Sequence, residues 1–361
     1  MGELFANDRI KNIQMEFVQL NDRGKDTSVV LENDLIFARR SILASGAGKY
    51  SIILEVQEIT TFESHLIRVR LNQEIANPLF YYYYFKTPHA NIKSIVQQGV
   101  QAGIRGSELK DLEVIYPPLI YQNKIASILS TYDDLIEDNL RQIKLFEEII
   151  NIKYKNIVDK VNKDTISLKL NSIVDIIPGY PFKSTHFNEN GKYKIVTIKN
   201  VQDGFFMPIV TDKIDVVPSR MNINLFLNTG DIIMSLTGNV GRVCLVYGEN
   251  YVLNQRVVKV HAKNSNDKSF VYAFLRDKHT QRILENLSTG TAQQNLSPIK
   301  MGELLINYPT KKLRREFNQA VLPIIKFNMY TKQTKHQIPR SKRYFVTEID
   351  EWRSKGIIKW I

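Results

Sequence analysis

The chain has 361 residues, 43% of them apolar and 24% charged, which is long enough for two ordinary globular domains and argues against a disordered protein. Its 49 lysines and arginines exceed its 37 acidic residues and give a net charge of +12. This excess favours a polyanionic partner, nucleic acid ahead of a membrane surface, with a merely basic surface as the alternative.

The cysteine content restricts the chemistry. Cys244 is the only cysteine in the sequence, which excludes disulfides within the chain and zinc sites built from cysteines. It lies in the apolar run VCLV and is expected to be a buried, small apolar residue. No apolar run reaches the roughly 18–20 residues needed to cross a bilayer, and the N-terminus lacks a signal-peptide pattern. We therefore expect a reducing, cytoplasmic location.

The chain repeats itself in order. Residues 33–53 (NDLIFARRSILASGAGKYSII) match residues 230–246 (GDIIMSLTGNVGRVCLV), with a four-residue insertion in the first copy. Three further pairs follow: 65–71 with 255–261, 78–99 with 269–290, and 103–118 with 295–309. Chance could explain one such pair, but four in the same order at nearly constant spacing predict a duplicated strand-rich module. The second copy is preceded by residues 167–201, whose counterpart would fall before Met1, so the first copy is expected to lack its opening strand-and-loop section.

Between the copies, residues 119–163 contain no glycine or proline and favour one helix about 65 Å long. Steps of four and three residues along it define a mostly apolar seam typical of a coiled coil. The seam consists of Ile125, Leu129, Tyr132, Ile136, Asn139, Ile143, Phe146, Ile150, Lys153 and Ile157. Residues 311–333 show the same stepping, although Pro323 is expected to kink or end that helix.

These elements predict an α+β fold. We expect two similar strand-rich α/β domains joined by long helices that pair as an antiparallel coiled coil, in a pseudo-twofold arrangement.

Two motifs suggest enzymes but lack essential residues. GAGKYS (46–51) resembles a phosphate-binding loop without its first glycine or the Ser/Thr after the lysine, and its match to TGNVGR (237–242) favours a turn between two strands. NPLF (77–80) resembles the Asn-Pro-Pro-aromatic tetrad of adenine-N6 methyltransferases but lacks the second proline, and the chain has no glycine-rich cofactor fingerprint. The six histidines show neither metal-ligand nor triad spacing. We expect no catalytic residue and no metal site.

Four phrases carry a resemblance to a known family: GDIIMSLTGNVGRVCLV (230–246), STGTAQQNLS (288–297), LEVIYPPLIYQNKIASIL (112–129) and LLINYP (304–309). With the repeat and the spacer helix, they make the chain resemble the specificity subunits of type I restriction-modification enzymes. The resemblance implies two target-recognition domains, each reading one half of a split DNA sequence. It also implies that paired spacer helices set the distance between the two halves.

The resemblance further implies partners and cofactors. Double-stranded DNA, two methyltransferase subunits docked on the helices, and separate restriction and translocase subunits are the expected partners. S-adenosylmethionine, ATP and Mg²⁺ are expected on those subunits and none on this chain, which would have no catalytic residue. The alternatives are a stand-alone DNA methyltransferase or nuclease-associated subunit, and a partial, phage-borne or recombining specificity gene that reads only one half-site.

The repeat and the resemblance together predict the domain boundaries. They are a first target-recognition domain at 1–118, a spacer helix at 119–165, a second target-recognition domain at 166–309, a second spacer helix at 310–335 and an atypical tail at 336–361.

Lysines and arginines are expected to bind DNA phosphates, and amides, hydroxyls and arginines to reach base edges. In the second domain the candidates are Tyr180, Lys183, Ser184, Thr237, Asn239, Arg242, Gln255, Arg256, Thr291, Gln293, Gln294 and Asn295. In the first domain the repeat indicates Arg39, Arg40, Ser45, Lys49, Gln101 and Arg105. The alternative for each is a solvated or turn-capping role, and Ser297 and Pro298 are expected to begin a helix after the amide run.

Overall fold

The computed structural model describes residues 2–20, 27–41, 46–97, 102–159, 165–288, 294–335 and 359–360. These residues form two compact units. The first contains the described residues up to Ile136 together with 359–360, and the second begins at Glu137. Within the described part of the chain, no helix is long and apolar enough to cross a membrane.

The first unit contains a four-stranded sheet and an aromatic helix. Its helices are α1 (Gly2–Ala6), α2 (Pro78–Phe85), α3 (Gly106–Lys110) and the first part of α4 (Leu119–Asp159). Its strands are β1 (Arg9–Lys11), β2 (Leu35–Ala38), β3 (Arg40–Ser41), β4 (Tyr50–Glu55), β5 (Leu66–Val69), β6 (Ala102–Gly103) and β7 (Ile115–Tyr116). The sheet order is β1-β4-β2-β5, with β1 parallel to β4 and the other pairs antiparallel. In the described residues that follow α2, two short 3-10 turns occur, at Pro88–Ala90 and Ile92–Ile95.

The aromatic run of α2 supplies much of the first unit's core. Its residues 80–84 (FYYYY) are all buried, and each large side chain removed from water contributes about 1.5–3 kcal/mol. Asn77 caps the helix by accepting a hydrogen bond from the Phe80 N–H at 3.0 Å. Ile125 and Leu129, at the start of α4, pack into the same core. The NPLF motif therefore begins a core helix, as predicted.

The second unit is larger and contains two four-stranded sheets. Its strands are β8 (Thr165–Lys169), β9 (Val174–Pro178), β10 (Tyr193–Val196), β11 (Val201–Gln202), β12 (Phe205–Phe206), β13 (Lys213–Ile214), β14 (Phe226–Leu227), β15 (Ile232–Ser235), β16 (Val243–Leu245), β17 (Tyr251–Leu253), β18 (Val257–Ala262) and β19 (Leu305–Pro309). Its helices are the rest of α4, α5 (Lys268–Arg276), α6 (Lys278–Leu287), α7 (Pro298–Gly302) and α8 (Lys311–Lys335). The sheet orders are β16-β15-β18-β9 and β13-β10-β17-β14, while β11 and β12 form a two-residue hairpin pair.

In the second unit, one hydrophobic core joins the first of these sheets to both long helices. Ile150 and Tyr154 of α4 and Phe317, Val321 and Ile325 of α8 are all buried in it. In α8 the predicted apolar stepping is only partly right, because Ala320 and Phe327, which it includes, are exposed.

The two long helices run antiparallel where they meet. Lys332, near the end of α8, pairs with Glu147 of α4 at 2.8 Å. One turn or more further along α4, Tyr154 packs beside Phe270, which in turn contacts Phe317 near the start of α8. Because the residue numbers run in opposite directions along the contact, the antiparallel pairing predicted from the sequence is confirmed.

Of the two effects expected of Pro323, a kink or the end of the second long helix, the end does not occur at this position. Helix α8 runs from Lys311 to Lys335 with Pro323 inside it. A proline within a helix removes one backbone donor and costs about 3 kcal/mol. Val321 and Ile325 on either side are buried in the core, and this tertiary packing holds the helix together across the proline.

The repeat is confirmed by the strand pairing. In the first unit β2 lies between β4 and β5, and in the second β15 lies between β16 and β18, with antiparallel neighbours in both. The pairing of Arg40 with Gly103 has its counterpart in the bridge between Thr237 and Asn295, as the sequence match requires. Strand β5 is the edge of its described sheet, whereas β18 has β9 beside it.

One of the sequence matches is wrong by a residue. Ala38 pairs with Leu66 in the first unit, and the equivalent Ser235 pairs with Val257 in the second. The true counterpart of Leu66 is therefore Val257, not Arg256. The sequence match between two alternating apolar strands can be off by one residue, and only the residue with which each position pairs fixes the register.

A short strand near the end of the chain, β20 (Lys359–Trp360), pairs antiparallel with β7. In the second unit β8 pairs antiparallel with β19, the repeat counterpart of β7. The tail was expected to fit neither copy, yet its described strand occupies the position that β8 occupies in the second copy.

Candidate nucleic-acid interface

The predicted DNA-contacting segments of the second domain converge at one end of the sheet β16-β15-β18-β9. Because adjacent strands are antiparallel, the end of β15 lies beside the starts of β16 and β18, and the end of β9 lies beside the start of β18. The loops that leave these strand ends are 179–184, 236–242 and 254–256. Their common position was not evident from the sequence, in which they are up to about 75 residues apart.

Backbone hydrogen bonds connect these loops into one surface. The Gln255 N–H donates to the Tyr180 carbonyl at 3.1 Å, and the Leu236 N–H donates to the Arg256 carbonyl at 2.9 Å. The amide run joins them, because Thr237 forms a β-bridge with Asn295. Four segments predicted separately therefore form a continuous group.

The hairpin 237–242 is shaped by two glycines. Gly238 and Gly241 have φ values of +72° and +82°, a region in which other L-residues are strained. Ser235 stabilises the turn through its hydroxyl, which donates to the Asn239 carbonyl at 2.5 Å and accepts from the Arg242 N–H at 3.2 Å. The hairpin predicted for TGNVGR is confirmed.

Arg242 is half-buried and held by two amide side chains. Its Nη1 donates to the Gln202 Oε1 at 2.6 Å. With the Asn239 amide oriented so that its oxygen faces the guanidinium, this oxygen accepts from Nη2 at 3.0 Å and from Nη1 at 3.3 Å. The guanidinium has five donors, so these contacts orient it while leaving other N–H groups for a ligand. Gln202 was missed by the sequence reasoning, which had no signal for a contact 40 residues away.

The other predicted residues of the second domain differ in exposure. Seven are exposed at the surface: Lys183, Ser184, Asn239, Gln255, Arg256, Gln294 and Asn295. Asn295 lies next to the hairpin, and Tyr180 is half-buried with its ring 5.1 Å from that of Phe182. The hydroxyl oxygen of Thr237 is buried, so this residue supports the loop from beneath. Thr291 and Gln293 lie outside the described residues.

The amide run precedes a helix as expected. Ser297 is the N-cap residue of α7 and Pro298 its first residue, although the Ser297 side chain makes no capping hydrogen bond. The extended backbone at Ser297 and the fixed φ of proline are sufficient to begin the helix. Helix α6 ends at Leu287, before the amide run.

In the first domain the structure brings three of the predicted arginines together. The Ile104 N–H donates to the Arg39 carbonyl at 2.9 Å, and Arg40 pairs with Gly103, so the exposed Arg39, Arg40 and Arg105 belong to adjoining backbone segments. This is the position equivalent to the Thr237–Asn295 bridge. The first domain thus presents positive charge where the second presents amides and Arg242.

Lys49 is placed differently from the three arginines. Its amine donates to the Phe5 carbonyl at 2.7 Å and lies 3.9 Å from an Asp8 carboxylate oxygen. These contacts engage Lys49 within the protein, which makes it a weaker candidate for a phosphate contact. Ser45 and Gln101 lie outside the described residues.

The surface offers groups that suit recognition by hydrogen bonding. Across the described ranges, no three histidine, cysteine or acidic side chains lie close enough together to hold a metal ion. Cys244 is fully buried, as predicted, and burial raises the pKa of its thiol to about 12, which keeps it protonated and unreactive. Arginines and amides on loops at a sheet end suit hydrogen bonding to DNA phosphates and base edges.

Two strand-rich domains that present such loops, joined by a long helix, define a DNA-recognition protein. The family model described as type I restriction modification DNA specificity domain matches residues 3–145 and 162–340. The chain therefore belongs to this family and is a specificity subunit of a type I restriction-modification system, with two recognition domains.

Individual relatives agree with the family. The chain is 24% identical over 356 residues to the type I restriction enzyme MjaVIII specificity subunit of Methanocaldococcus jannaschii, covering 92% of this chain and 80% of that protein. It is 23% identical over 341 residues to the MjaIX specificity subunit of the same organism, covering 87% and 78%. The crystal structure of the S subunit from M. genitalium shares the fold with a TM-score of 0.60 at 16% identity, covering 94% of this chain and 87% of that one.

Proposed function

We propose that each recognition domain reads one half of a bipartite DNA sequence through the loops at its sheet end. The observation that carries the proposal is the convergence of the 179–184, 236–242 and 254–256 loops with Asn295 in the second domain. The equivalent position of the first domain holds exposed arginines. In this proposal Lys183 and Arg256 supply charge, Arg242 supplies charge together with guanidinium donors for a base edge, and Gln255, Gln294 and Asn295 supply amides for base edges.

We propose further that the chain is a non-catalytic scaffold. Two methyltransferase subunits would supply S-adenosylmethionine and the adenine-methylating chemistry, and restriction and translocase subunits would use ATP and Mg²⁺. Because the substrate is cellular DNA, the proposed place of action is the cytoplasm. Catalysis by this chain alone is not part of the proposal.

The long helices are the proposed docking surface for the methyltransferase subunits. Within the second unit, four large apolar side chains of α4 are exposed, Leu140, Leu145, Ile149 and Ile152, by 37% to 57%. The last three follow helical steps of four and three, so they lie along one stripe of the helix. Apolar stripes left in water on a long helix mark an interaction surface, and methyltransferase subunits are the partner that the family offers.

Mapping methylated adenines tests the function directly. Cells that lack other adenine methylation would express this chain with its methyltransferase partner, and their DNA would be sequenced by a method that detects methylated adenine. We expect one bipartite motif, with two specific halves separated by unspecified bases, and no methylation without this chain. A contiguous motif, or the same motif in the absence of the chain, would contradict the proposed reading.

A further inference from the structure

A buried cluster of charges lies between the long helices and the second recognition domain. Glu147 of α4 pairs with Arg276, the last residue of α5, at 3.1 Å and with Lys332 of α8 at 2.8 Å. Asn328 donates to the same carboxylate at 3.1 Å. The side chains of Arg276 and Lys332 are only 16% and 7% exposed, so their charges depend on Glu147 for compensation.

The same two cations hold the turn between β11 and β12. Arg276 pairs with the Asp203 carboxylate, and Lys332 donates to the Gly204 carbonyl at 2.5 Å. Gly204 has a φ of +71°, a backbone conformation that other L-residues rarely adopt, and a Cβ there would lie 2.7 Å from the Arg276 Nη2 and would displace the guanidinium. Strands β11 and β12 have only two residues each, and these contacts therefore fix the turn more firmly than its own pairing can.

The turn between β11 and β12 also contacts the hairpin 237–242. Gln202, the residue before Asp203, accepts the 2.6 Å hydrogen bond from Arg242. The Gly204 N–H donates to the carbonyl of Val243, the residue after Arg242, at 2.9 Å. The turn thus holds both the side chain of Arg242 and the backbone beside it. An arginine side chain has several rotatable bonds, and such contacts select one direction for its planar guanidinium.

We propose that Arg276 is a positioning residue for DNA recognition, which anchors the Gln202–Gly204 turn to the helix pair and so fixes how Arg242 presents its guanidinium. The inference rests on the proposed function, because it requires Arg242 to contact DNA. Arg276 itself acts only through Gln202 and Arg242. In this proposal the helix pair sets the distance between the half-sites and also determines how well the second domain discriminates its own half-site.

Two variants weaken the anchor in different ways. In R276K the ammonium keeps the charge and can pair with Glu147, but a single ammonium cannot reproduce the planar fork that also reaches Asp203. D203N removes the negative charge with which the turn pairs to Arg276. The Asp203 side chain is 61% exposed, so its replacement by an isosteric amide leaves the fold intact. Removing a negative charge strengthens DNA binding electrostatically, so a weakening in D203N can only arise from lost positioning.

A matched control is available on the same helix pair. Arg314 of α8 pairs with Asp267 at 2.7 Å and is 10% exposed, so it forms a comparable buried ion pair at the opposite end of α8 from Lys332. R314K disturbs the same kind of contact without touching the turn. It reports what a loss of stability alone does to DNA binding.

The experiment measures binding by the complex of this chain with its methyltransferase partner. The probe is a short duplex carrying the motif obtained by mapping methylated adenines, together with duplexes that change one base pair of either half. R242A is expected to weaken binding or discrimination at its own positions by roughly 10-fold. R276K and D203N are expected to weaken binding to the duplexes at the same positions as R242A. Adding R276K to R242A is expected to change binding by less than about 2-fold further, because both variants act on one contact.

Each outcome decides a separate point. If R242A weakens recognition while R276K and D203N behave like R314K, the positioning role is refuted and the proposed function stands. If R276K and R242A weaken recognition independently, so that the double variant shows the product of both effects, the positioning role is also refuted. If R242A itself leaves recognition unchanged, Arg242 does not read DNA, and both the proposed contact and the positioning role fall.

Discussion

Replacement of Glu147 by glutamine is expected to loosen the second unit, because Glu147 compensates two cations at once. Its carboxylate lies 3.1 Å from Arg276 and 2.8 Å from Lys332 and is 22% exposed. Removing one member of a buried ion pair costs about 3–5 kcal/mol, and the partial exposure of Glu147 reduces this to about 2–4 kcal/mol for E147Q. The neighbouring Glu148 is exposed on the same helix, so E148Q serves as the matched control.

The effect should depend on pH in a definite direction. Burial alone would raise the pKa of Glu147, but the charges of Lys332 and Arg276 outweigh it and hold the pKa below its usual range. A group with a lowered folded pKa contributes stability that is present in full above its unfolded pKa, about 4.3, and is lost as the pH falls through the folded pKa. The difference between the wild-type chain and E147Q should therefore be constant near neutral pH and shrink in acid.

Urea unfolding followed by circular dichroism, with hydrogen exchange of peptides from the second half of α4, measures this difference at each pH. Exchange in α4 and α8 should accelerate together in E147Q and remain unchanged in E148Q. Equal stability of E147Q and the wild-type chain at neutral pH would refute the role assigned to the charge cluster, as would a difference that grows in acid.

Three further results are expected. If the helices set the separation of the half-sites, as the resemblance implies, inserting four residues near Asn139 should change the spacer length of the recognised motif; an unchanged motif would disprove this. Alanine at both Lys183 and Arg242 should weaken binding to mixed-sequence DNA and flatten its salt dependence by about one phosphate contact each, and a wild-type slope would exclude phosphate contacts there. L145D should abolish co-purification with the methyltransferase subunits while K144D on the same helix does not, and equal recovery of both would remove the proposed docking face.

The sequence alone was sufficient to predict the repeated architecture. Matching patterns in the two copies predicted that Arg40 and Thr237 occupy equivalent positions, and their pairing with Gly103 and Asn295 confirms it. Periodicity also predicted the long helix, which the structure describes from Leu119 to Asp159. These features depend on local patterns that recur along the chain, and such patterns are visible without tertiary structure.

Other features depend on contacts between distant residues and could not be predicted. Strand β5 was matched one residue out of register, because alternation fixes a strand's faces but not its partner. Helix α8 continues through Pro323 because its buried neighbours compensate for the lost hydrogen bond. The Asp203-Gly204 pair signals a tight turn, but nothing in the sequence indicates that this turn holds Arg242.

An exchange of recognition domains tests the central claim most directly. Residues 166–309 of this chain would be replaced by the second recognition domain of another specificity subunit, and methylated adenines would be mapped in cells that express the hybrid with the methyltransferase partner. The expected motif keeps one half and the spacer length of the original and replaces the other half. A motif in which both halves change, or in which neither does, would contradict the assignment of one half-site to each domain.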